Sequence, residues 1–146
     1  MFRTLFCLGL LTFSALQAEE ILINPSDSSQ EQVQEALILA KPGDTIKLQA
    51  GLYKFTDGLS LDVDNVRLIG EGMDKTILSF ADQLSGAQGL LVTSNKVVLK
   101  DFAIEDAKGD ALKVIGADGI YMINLRTEWT GGPKSTNGAY GLYPVE

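Results

Sequence analysis

The chain has 146 residues, of which 12 are basic and 19 acidic, with a single cysteine and no histidine. The lack of histidine excludes Ser-His-Asp catalysis and imidazole metal ligands. The formal charge of −7 disfavours nucleic acid and anionic membranes as partners, and it suits calcium, a cationic partner or simple solubility.

Residues 1–18 are predicted to form a secretory signal peptide. Arg3 gives a short positive segment, an apolar run too short to span a bilayer follows, and small residues end at Ala18, where cleavage is expected. An uncleaved anchor is the alternative. Because Cys7 lies in this segment, the mature chain would lack thiols, and removal of Arg3 would make it one charge more negative. No later stretch is apolar enough to span a membrane. The signal peptide and the cysteine-free mature chain indicate a periplasmic or secreted protein.

Residues 19–43 are predicted to form a short strand and an amphipathic helix. Ser28 followed by Glu31 fits a capping box at the start of the helix, and Pro42 and Gly43 end it. Such a helix is well placed to cover one open end of the remaining structure. One apolar face is predicted, at Val33, Ala36, Leu37 and Ala40.

Residues 44–146 repeat a pattern of short alternating strands and turns. The base spacing is 20 to 23 residues, with longer loops inserted at one kind of corner. A register of recurring positions is typical of a solenoid, in which stacked repeats create the core. A β-sandwich is the competing all-β interpretation. The recurring positions pair Ile46 and Leu48 with Val66 and Leu68, Leu59 and Leu61 with Leu90 and Val92, Val66 and Leu68 with Val97 and Leu99, Leu90 and Val92 with Leu112 and Val114, Leu112 with Leu142, and Val97, Leu99, Phe102 with Ile120, Met122, Leu125.

Asp64, Asn95 and Asp118 occupy the same position in successive repeats, just before a recurring apolar residue. Asp and Asn tolerate left-handed turns and bond to local backbone. With repeats about 4.8 Å apart, the three side chains would form a structural ladder at one corner. Glu105 and Glu128 are expected to stack in the same manner.

The sequence resembles the right-handed parallel β-helix, or pectin-lyase-like, fold over residues 21–146. The resemblance is carried by the helix followed by AKPGDTI and LQAGLY, and by IGEGMDKT at 69–76. It is most similar to exported bacterial proteins known as parallel β-helix repeat proteins. The resemblance implies an all-β solenoid with an N-terminal capping helix, and a protein that binds or acts on a polysaccharide.

Better-known relatives of this fold are pectate lyases, polygalacturonases and alginate epimerases, so lyase-like or epimerase-like action on an acidic polysaccharide is one expectation. Their diagnostic motifs are incomplete in this chain, and the histidine-containing epimerase signature is absent. The alternative is a non-catalytic surface, periplasmic or accessory protein on the same solenoid. The sequence ends within what reads as another repeat, so we expect an N-terminal fragment of a longer protein.

The polar segment 105–110 and Lys113 form one candidate site. Asp106 and Asp110 are possible oxygen ligands for calcium, and Lys113, facing outward beside Tyr143, is a candidate base for β-elimination. A solvated turn around Gly109 is the alternative interpretation.

The enlarged loop after residue 128 forms a second candidate site. Trp129 would stack on a sugar ring, Lys134 would meet an acidic sugar, and Tyr143 would extend the binding surface. The alternative is a Trp129 side chain folded onto the surface of the repeats.

Overall fold

A computed structural model describes residues 17–146, so only Gln17 and Ala18 of the predicted signal peptide fall within the described residues. One helix and eleven strands follow each other along this part of the chain. They are β1 (Glu20–Ile23), α1 (Ser29–Leu39), β2 (Thr45–Leu48), β3 (Gly51–Lys54), β4 (Leu59–Leu61), β5 (Arg67–Ile69), β6 (Thr76–Ser79), β7 (Gln88–Val92), β8 (Val98–Glu105), β9 (Asp110–Ile115), β10 (Tyr121–Glu128) and β11 (Leu142–Val145).

The strands form two sheets, and all the strand pairs of residues 17–146 are parallel. One sheet has four strands in the order β11-β9-β7-β4. The other has seven, with β8 pairing β5 through its first half and β6 through its second half, while β10 lies along the whole of β8. The expectation of a predominantly β protein with one N-terminal helix is therefore confirmed at the level of parallel sheets.

The seven-stranded sheet bends where β8 passes from its pairing with β5 to its pairing with β6, and β10 follows β8 through the bend. Asp101 and Asn124 have φ values of 60° and 49° at this bend, in the left-handed region that Asp and Asn tolerate better than most residues. The Asn124 Nδ2 donates to Asp101 Oδ1 at 2.9 Å. We call the pairings before the bend the first ladder and those after it the second ladder.

Successive strands return to the same sheets in the register that the recurring apolar positions predict. Leu90 lies opposite both Leu59 and Leu112, and Leu112 lies opposite Leu142. Leu99 lies opposite Met122, and the stacking of Glu105 on Glu128 is confirmed. Other confirmed pairs are Leu61 with Val92, Val92 with Val114, Leu68 with Leu99, and Phe102 with Leu125.

One predicted register is wrong. Ile46 pairs with Leu68 instead of Val66, so the strand is displaced by two residues from the predicted alignment. A shift of two residues keeps every side chain on the same face of a strand. The alternation of apolar residues therefore does not distinguish the two alignments.

The corner ladder of Asp64, Asn95 and Asp118 is confirmed, with a change in detail. Asp64 Oδ1 accepts the backbone N–H of Asn95 at 2.7 Å, and Asn95 Oδ1 accepts that of Asp118 at 2.8 Å. The left-handed residues are the next ones along the chain, Asn65 and Lys96, with φ values of 59° and 55°. The ladder side chains thus support the backbone of the neighbouring repeat, and the residue after each makes the turn.

The helix α1 buries the apolar face predicted for it, which lies against β1, β3 and β4. The predicted capping box is wrong, because Ser28 is the N-cap residue but its side chain makes no capping hydrogen bond. The hydroxyl of the buried Ser29 instead donates to Ser26 O at 2.7 Å. The Ser26–Ser29 contact holds the chain just before the helix.

Two glutamines of α1 bond to the free edge of the four-stranded sheet and to the turn just before that edge strand. Gln34 Oε1 accepts the N–H of Ser60 at 2.9 Å, and Gln34 Nε2 donates to Ser60 O at 3.1 Å. Gln30 Oε1 accepts the N–H groups of Thr56 and Asp57 at 3.0 and 2.9 Å. The helix therefore covers the end of the sheet both with apolar side chains and with amides that substitute for a neighbouring strand.

The core runs continuously from the helix through the repeats, and Phe55 stacks on Phe80 within it at 5.0 Å between ring centroids. Ile120, Met122 and Leu125 were expected in the core and are partly buried against it. Leu142 is exposed. The one helix within residues 17–146 is too short and too polar to cross a membrane.

Candidate functional site

A cleft of about 660 Å³ opens where the turn after β8 meets the long loop between β10 and β11. Its volume lies in the range of roughly 300 to 1,000 Å³ that is usual for ligand pockets. The cleft combines an aromatic ring, two ammonium groups, hydroxyls and an amide. It is lined by Ala81, Asp106, Ala107, Lys108, Trp129, Thr130, Gly131, Lys134, Thr136 and Asn137.

Close backbone stacking beside the cleft sets the position of both segments. A Cβ on Gly109 would collide with the carbonyl oxygen of Ala87, and a Cβ on Gly138 would collide with the carbonyl oxygen of Gly109. Gly109 does not have a positive φ, so glycine is needed here for close approach and not for a permissive turn. The long loop therefore returns to the sheet directly over the turn of the preceding repeat.

Trp129 connects the cleft to the core. Its indole Nε1 donates to the carbonyl oxygen of Ala107 at 2.7 Å, which fixes the ring against the turn of the preceding repeat. The side chain is partly buried and contacts the hydrophobic core, while it also lines the cleft. Both interpretations of this residue thus hold in part, because the ring is anchored to the repeats and also forms a wall of the cleft.

Asp106 organises the entrance to the long loop. Its carboxylate oxygens accept the backbone N–H of Thr130 at 2.8 Å and the Thr130 hydroxyl at 2.7 Å. The residue has a φ of 59°, and its own N–H donates to Glu128 O at 2.9 Å. Asp106 therefore acts first as a support that holds the loop beside the cleft.

The donor set around Asp106 and Asp110 gives limited support for calcium. Both carboxylate oxygens of Asp106 already accept hydrogen bonds from Thr130. No group of three or more His, Cys, Asp or Glu side chains able to hold a metal occurs within residues 17–146. Protein calcium sites use six to eight oxygen ligands. Calcium binding stays a prediction, and no step of the function below is routed through it.

The electrostatic character of the cleft comes from Lys108 and Lys134. Both residues are exposed, and neither forms an ion pair with a residue of the described segment 17–146. The carboxylate of Asp106 is engaged by Thr130, and Asn137 Nδ2 bonds to the loop itself at Gly132 O, 2.9 Å away. The cleft thus offers a positive charge to an anionic group in an otherwise acidic protein.

Lys113 and Tyr143 lie elsewhere, on the outer face of the four-stranded sheet. They are register partners in β9 and β11, as predicted, and the Lys113 Nζ lies 5.2 Å from the centroid of the Tyr143 ring. Tyr143 stacks on Tyr140 at 4.5 Å. Neither Lys113, Tyr143 nor Asp110 lines the cleft. The predicted site residues therefore divide between the cleft (Asp106, Trp129 and Lys134) and the sheet face.

A cluster of charged side chains around Arg126, on the second ladder, was not predicted. Arg126 Nη1 lies 2.9 Å from Glu105 Oε1 and also bonds Glu128, while Nη2 donates to Met73 O at 3.1 Å. Burial acts to lower the pKa of Arg126, but the two glutamates outweigh it and raise the pKa. The predicted stacking of Glu105 on Glu128 pointed to this cluster, because two adjacent carboxylates repel each other unless a cation lies between them.

No family model matches the chain, and no curated protein matches it significantly.

Proposed function

We propose that this chain is an exported right-handed parallel β-helix protein that binds a polysaccharide in the Trp129 cleft. The strand order and register support the β-helix architecture, because consecutive repeats return in parallel to the same two sheets. Crossovers between parallel strands of one sheet are right-handed in nearly all proteins. Export, to the periplasm or the medium, is supported by the apolar and small-residue pattern of residues 1–18.

The observation that carries the proposal is the Trp129 ring in the wall of the cleft. Aromatic rings present large apolar faces, which match the C–H face of a sugar, at low entropic cost when they are already fixed. The bond from Trp129 Nε1 to Ala107 O fixes this ring. Hydroxyl and amide groups of Thr130, Thr136 and Asn137 lie around it for hydrogen bonds to sugar hydroxyls.

The two lysines of the cleft favour an acidic polysaccharide. Lys108 and Lys134 would attract a sugar carboxylate, and the engaged carboxylate of Asp106 opposes them only in part. Attraction at an exposed site weakens as salt screens it. Affinity for an acidic chain should therefore fall as ionic strength rises, while affinity for a neutral chain of the same length should change little.

Trp129 is the single tryptophan of the chain, so its fluorescence reports on the cleft directly. Titration with defined oligosaccharides of acidic and neutral polysaccharides should shift or quench the emission in a saturable way with the acidic ligands. Lys134→Ala should weaken binding of an acidic oligosaccharide by about 3- to 10-fold, as expected for an exposed charge contact. Lys113→Ala, which removes a lysine outside the cleft, is the matched control and should leave this titration unchanged.

Failure of every acidic and neutral polysaccharide to perturb Trp129 would contradict the proposed function. It would favour the alternative of a non-catalytic interaction or accessory protein that uses another surface. Equal loss of affinity in Lys134→Ala and Lys113→Ala would contradict the location of the site.

The lyase-like form of the proposal depends on Lys113 as the base. A base abstracts the proton next to the uronate carboxyl group, and elimination of the glycosidic oxygen leaves an unsaturated sugar that absorbs in the ultraviolet. The Nζ of Lys113 lies 5.2 Å from the centroid of the Tyr143 ring. Because Lys113 lies outside the cleft, the structure supports binding in the cleft more directly than proton abstraction by this residue. A product with ultraviolet absorbance that Lys113→Ala abolishes would establish the lyase, and its absence on all acidic polysaccharides would leave binding alone.

A further inference from the structure

Asp44 is a buried carboxylate that no part of the polysaccharide site uses. Asp44 lies in the turn that follows α1 and is 3% exposed. Its Oδ1 accepts the backbone N–H of Glu19 at 2.8 Å, and its Oδ2 accepts that of Lys41 at 2.8 Å. Carboxylates are almost never fully buried unless they are paired. The group that faces Oδ1 is therefore of particular interest.

The nitrogen that Oδ1 faces belongs to the first residue after the predicted cleavage point. The carbonyl oxygen of Glu19 accepts the N–H of Thr45 at 2.9 Å, and Glu20 begins β1 opposite Thr45. Glu19 is thus held at both its N–H and its C=O. Gln17, Ala18 and Glu19 are nevertheless exposed, so the Ala18–Glu19 peptide bond is accessible on the surface.

We propose that hydrolysis of the Ala18–Glu19 bond by an export-processing peptidase creates an α-ammonium group that pairs with Asp44. Water supplies the oxygen of the new Ala18 carboxylate, and the Glu19 nitrogen leaves with its bonding electron pair and takes up protons to become the ammonium. The bond from a neutral amide to the charged carboxylate in the precursor then becomes an ion pair at the same place. Asp44 is the residue that recognises the processed end of the chain.

The consequence is that processing strengthens the fold. Before cleavage only the acceptor of this hydrogen bond is charged, and after cleavage donor and acceptor carry opposite charges, which adds a Coulomb attraction. The ion pair would form at a carboxylate that two backbone N–H groups already position, so little ordering is required. The bonds of Glu19 to Asp44 and Thr45 would tie the start of β1 to the turn before β2.

The first test is the N-terminal sequence and intact mass of the protein after export from a bacterial host. The processed chain should begin at Glu19. A mature chain that begins at any other residue, or retains residues 1–18, would overturn the proposal. The Ala18 position can be probed separately, because Ala18→Asp should block processing without altering Asp44.

The second test compares two chains that start at Glu19, one with a free amine and one acetylated at the same nitrogen. The acetylated chain keeps an N–H donor for Asp44 but loses the charge. The free-amine chain should melt about 3 to 5 °C higher. Equal melting temperatures would refute the ion pair. Because Asp44→Asn loses an acceptor for Lys41 and is expected to be less stable, it is used only to show that the acetylation difference disappears.

A matched control is Glu20→Gln, which removes a carboxylate one residue from the amine. Glu20 pairs with Lys47 at 2.9 Å, so this change should leave the acetylation difference intact. A general effect of N-terminal charge would instead reduce it.

The pKa of the Glu19 amine gives a readout that does not depend on melting. Ordinary chain-terminal amines have pKa values of about 7.7 to 8.0, and pairing with the Asp44 carboxylate should raise the pKa of this one above that range. The other charged groups around it are Lys41, the Glu19 side chain and the Glu20–Lys47 pair. An NMR titration that gives an ordinary pKa for the amine would overturn the ion pair even if the processing site is correct.

Discussion

Arg126 Nη1 lies 2.9 Å from Glu105 Oε1, and this contact joins two neighbouring repeats across the outer face of the second ladder. Glu105 and Glu128 are register partners, so without the arginine two like charges would stand side by side. The bond from Nη2 to Met73 O extends the same contact to the turn before β6. Arg126 therefore holds together elements that are far apart in sequence.

Arg126→Leu should lower the free energy of unfolding by about 1 to 2 kcal/mol, because it leaves the Glu105 carboxylate half-covered and beside a like charge. Urea denaturation measures this change. The cost should be smaller in a Glu105→Gln background, where the repulsion is already absent. An equal cost in both backgrounds would show that the arginine acts through packing alone.

Gly109→Ala should destabilise the protein by about 2 kcal/mol, because the added methyl group meets the carbonyl oxygen of Ala87. Gly116→Ala is the control, since a Cβ there meets nothing within 4 Å and the cost is limited to backbone strain at a φ of 58°. Thermal unfolding compares the two. Fluorescence of Trp129 should also change only in Gly109→Ala, because that residue supports the cleft loop.

Tyr53 should make stability fall at alkaline pH. The side chain is fully buried, its hydroxyl lies 2.8 Å from Ile23 O and 3.0 Å from Gln49 O, and burial raises its pKa from 10 to about 12. The folded state therefore keeps a proton that the unfolded state loses. The contribution is complete below pH 10 and disappears as pH rises to about 12, at a cost on the order of 2 kcal/mol.

Tyr53→Phe provides the comparison for that pH dependence. The variant should be about 1 kcal/mol less stable at neutral pH because the hydroxyl bonds are lost. The gap should close, or reverse, at a pH near 12. A constant gap between neutral and strongly alkaline pH would contradict the raised pKa.

Most of the strand register was predictable because the apolar positions recur at a fixed interval. Phe102 and Leu125 are paired as predicted, since each ladder requires an inward residue at the same place in every repeat. The register of Ile46 was wrong by two residues because only the alternation of apolar and polar residues was available there, and a shift of two residues does not change that alternation. The division of the site residues was not predictable. Asp106 and Lys113 are close together in the sequence, but only Asp106 lines the cleft, while Lys113 lies on the four-stranded sheet.

Polar contacts between residues far apart in the chain were the hardest features to predict from the sequence. Gln30 and Gln34 are typical of a solvated helix face, yet Gln34 bonds to the edge strand and Gln30 to the turn before it. Arg126 was overlooked because it sits on an outward strand position, where a charge usually contacts only water. In both cases the partner lies some 20 or more residues away, and only the predicted stacking of Glu105 on Glu128 pointed to one of these contacts.

The amide groups of Gln30 and Gln34 also have a consequence for self-association of this protein. An unprotected strand edge is a template for pairing with another chain, and long parallel sheets are exposed to this risk. By filling the hydrogen-bonding positions around Ser60, the helix leaves β4 with little to offer an incoming strand. Aggregation through this edge would first require α1 to detach, which places the barrier to misassembly in the stability of one short helix.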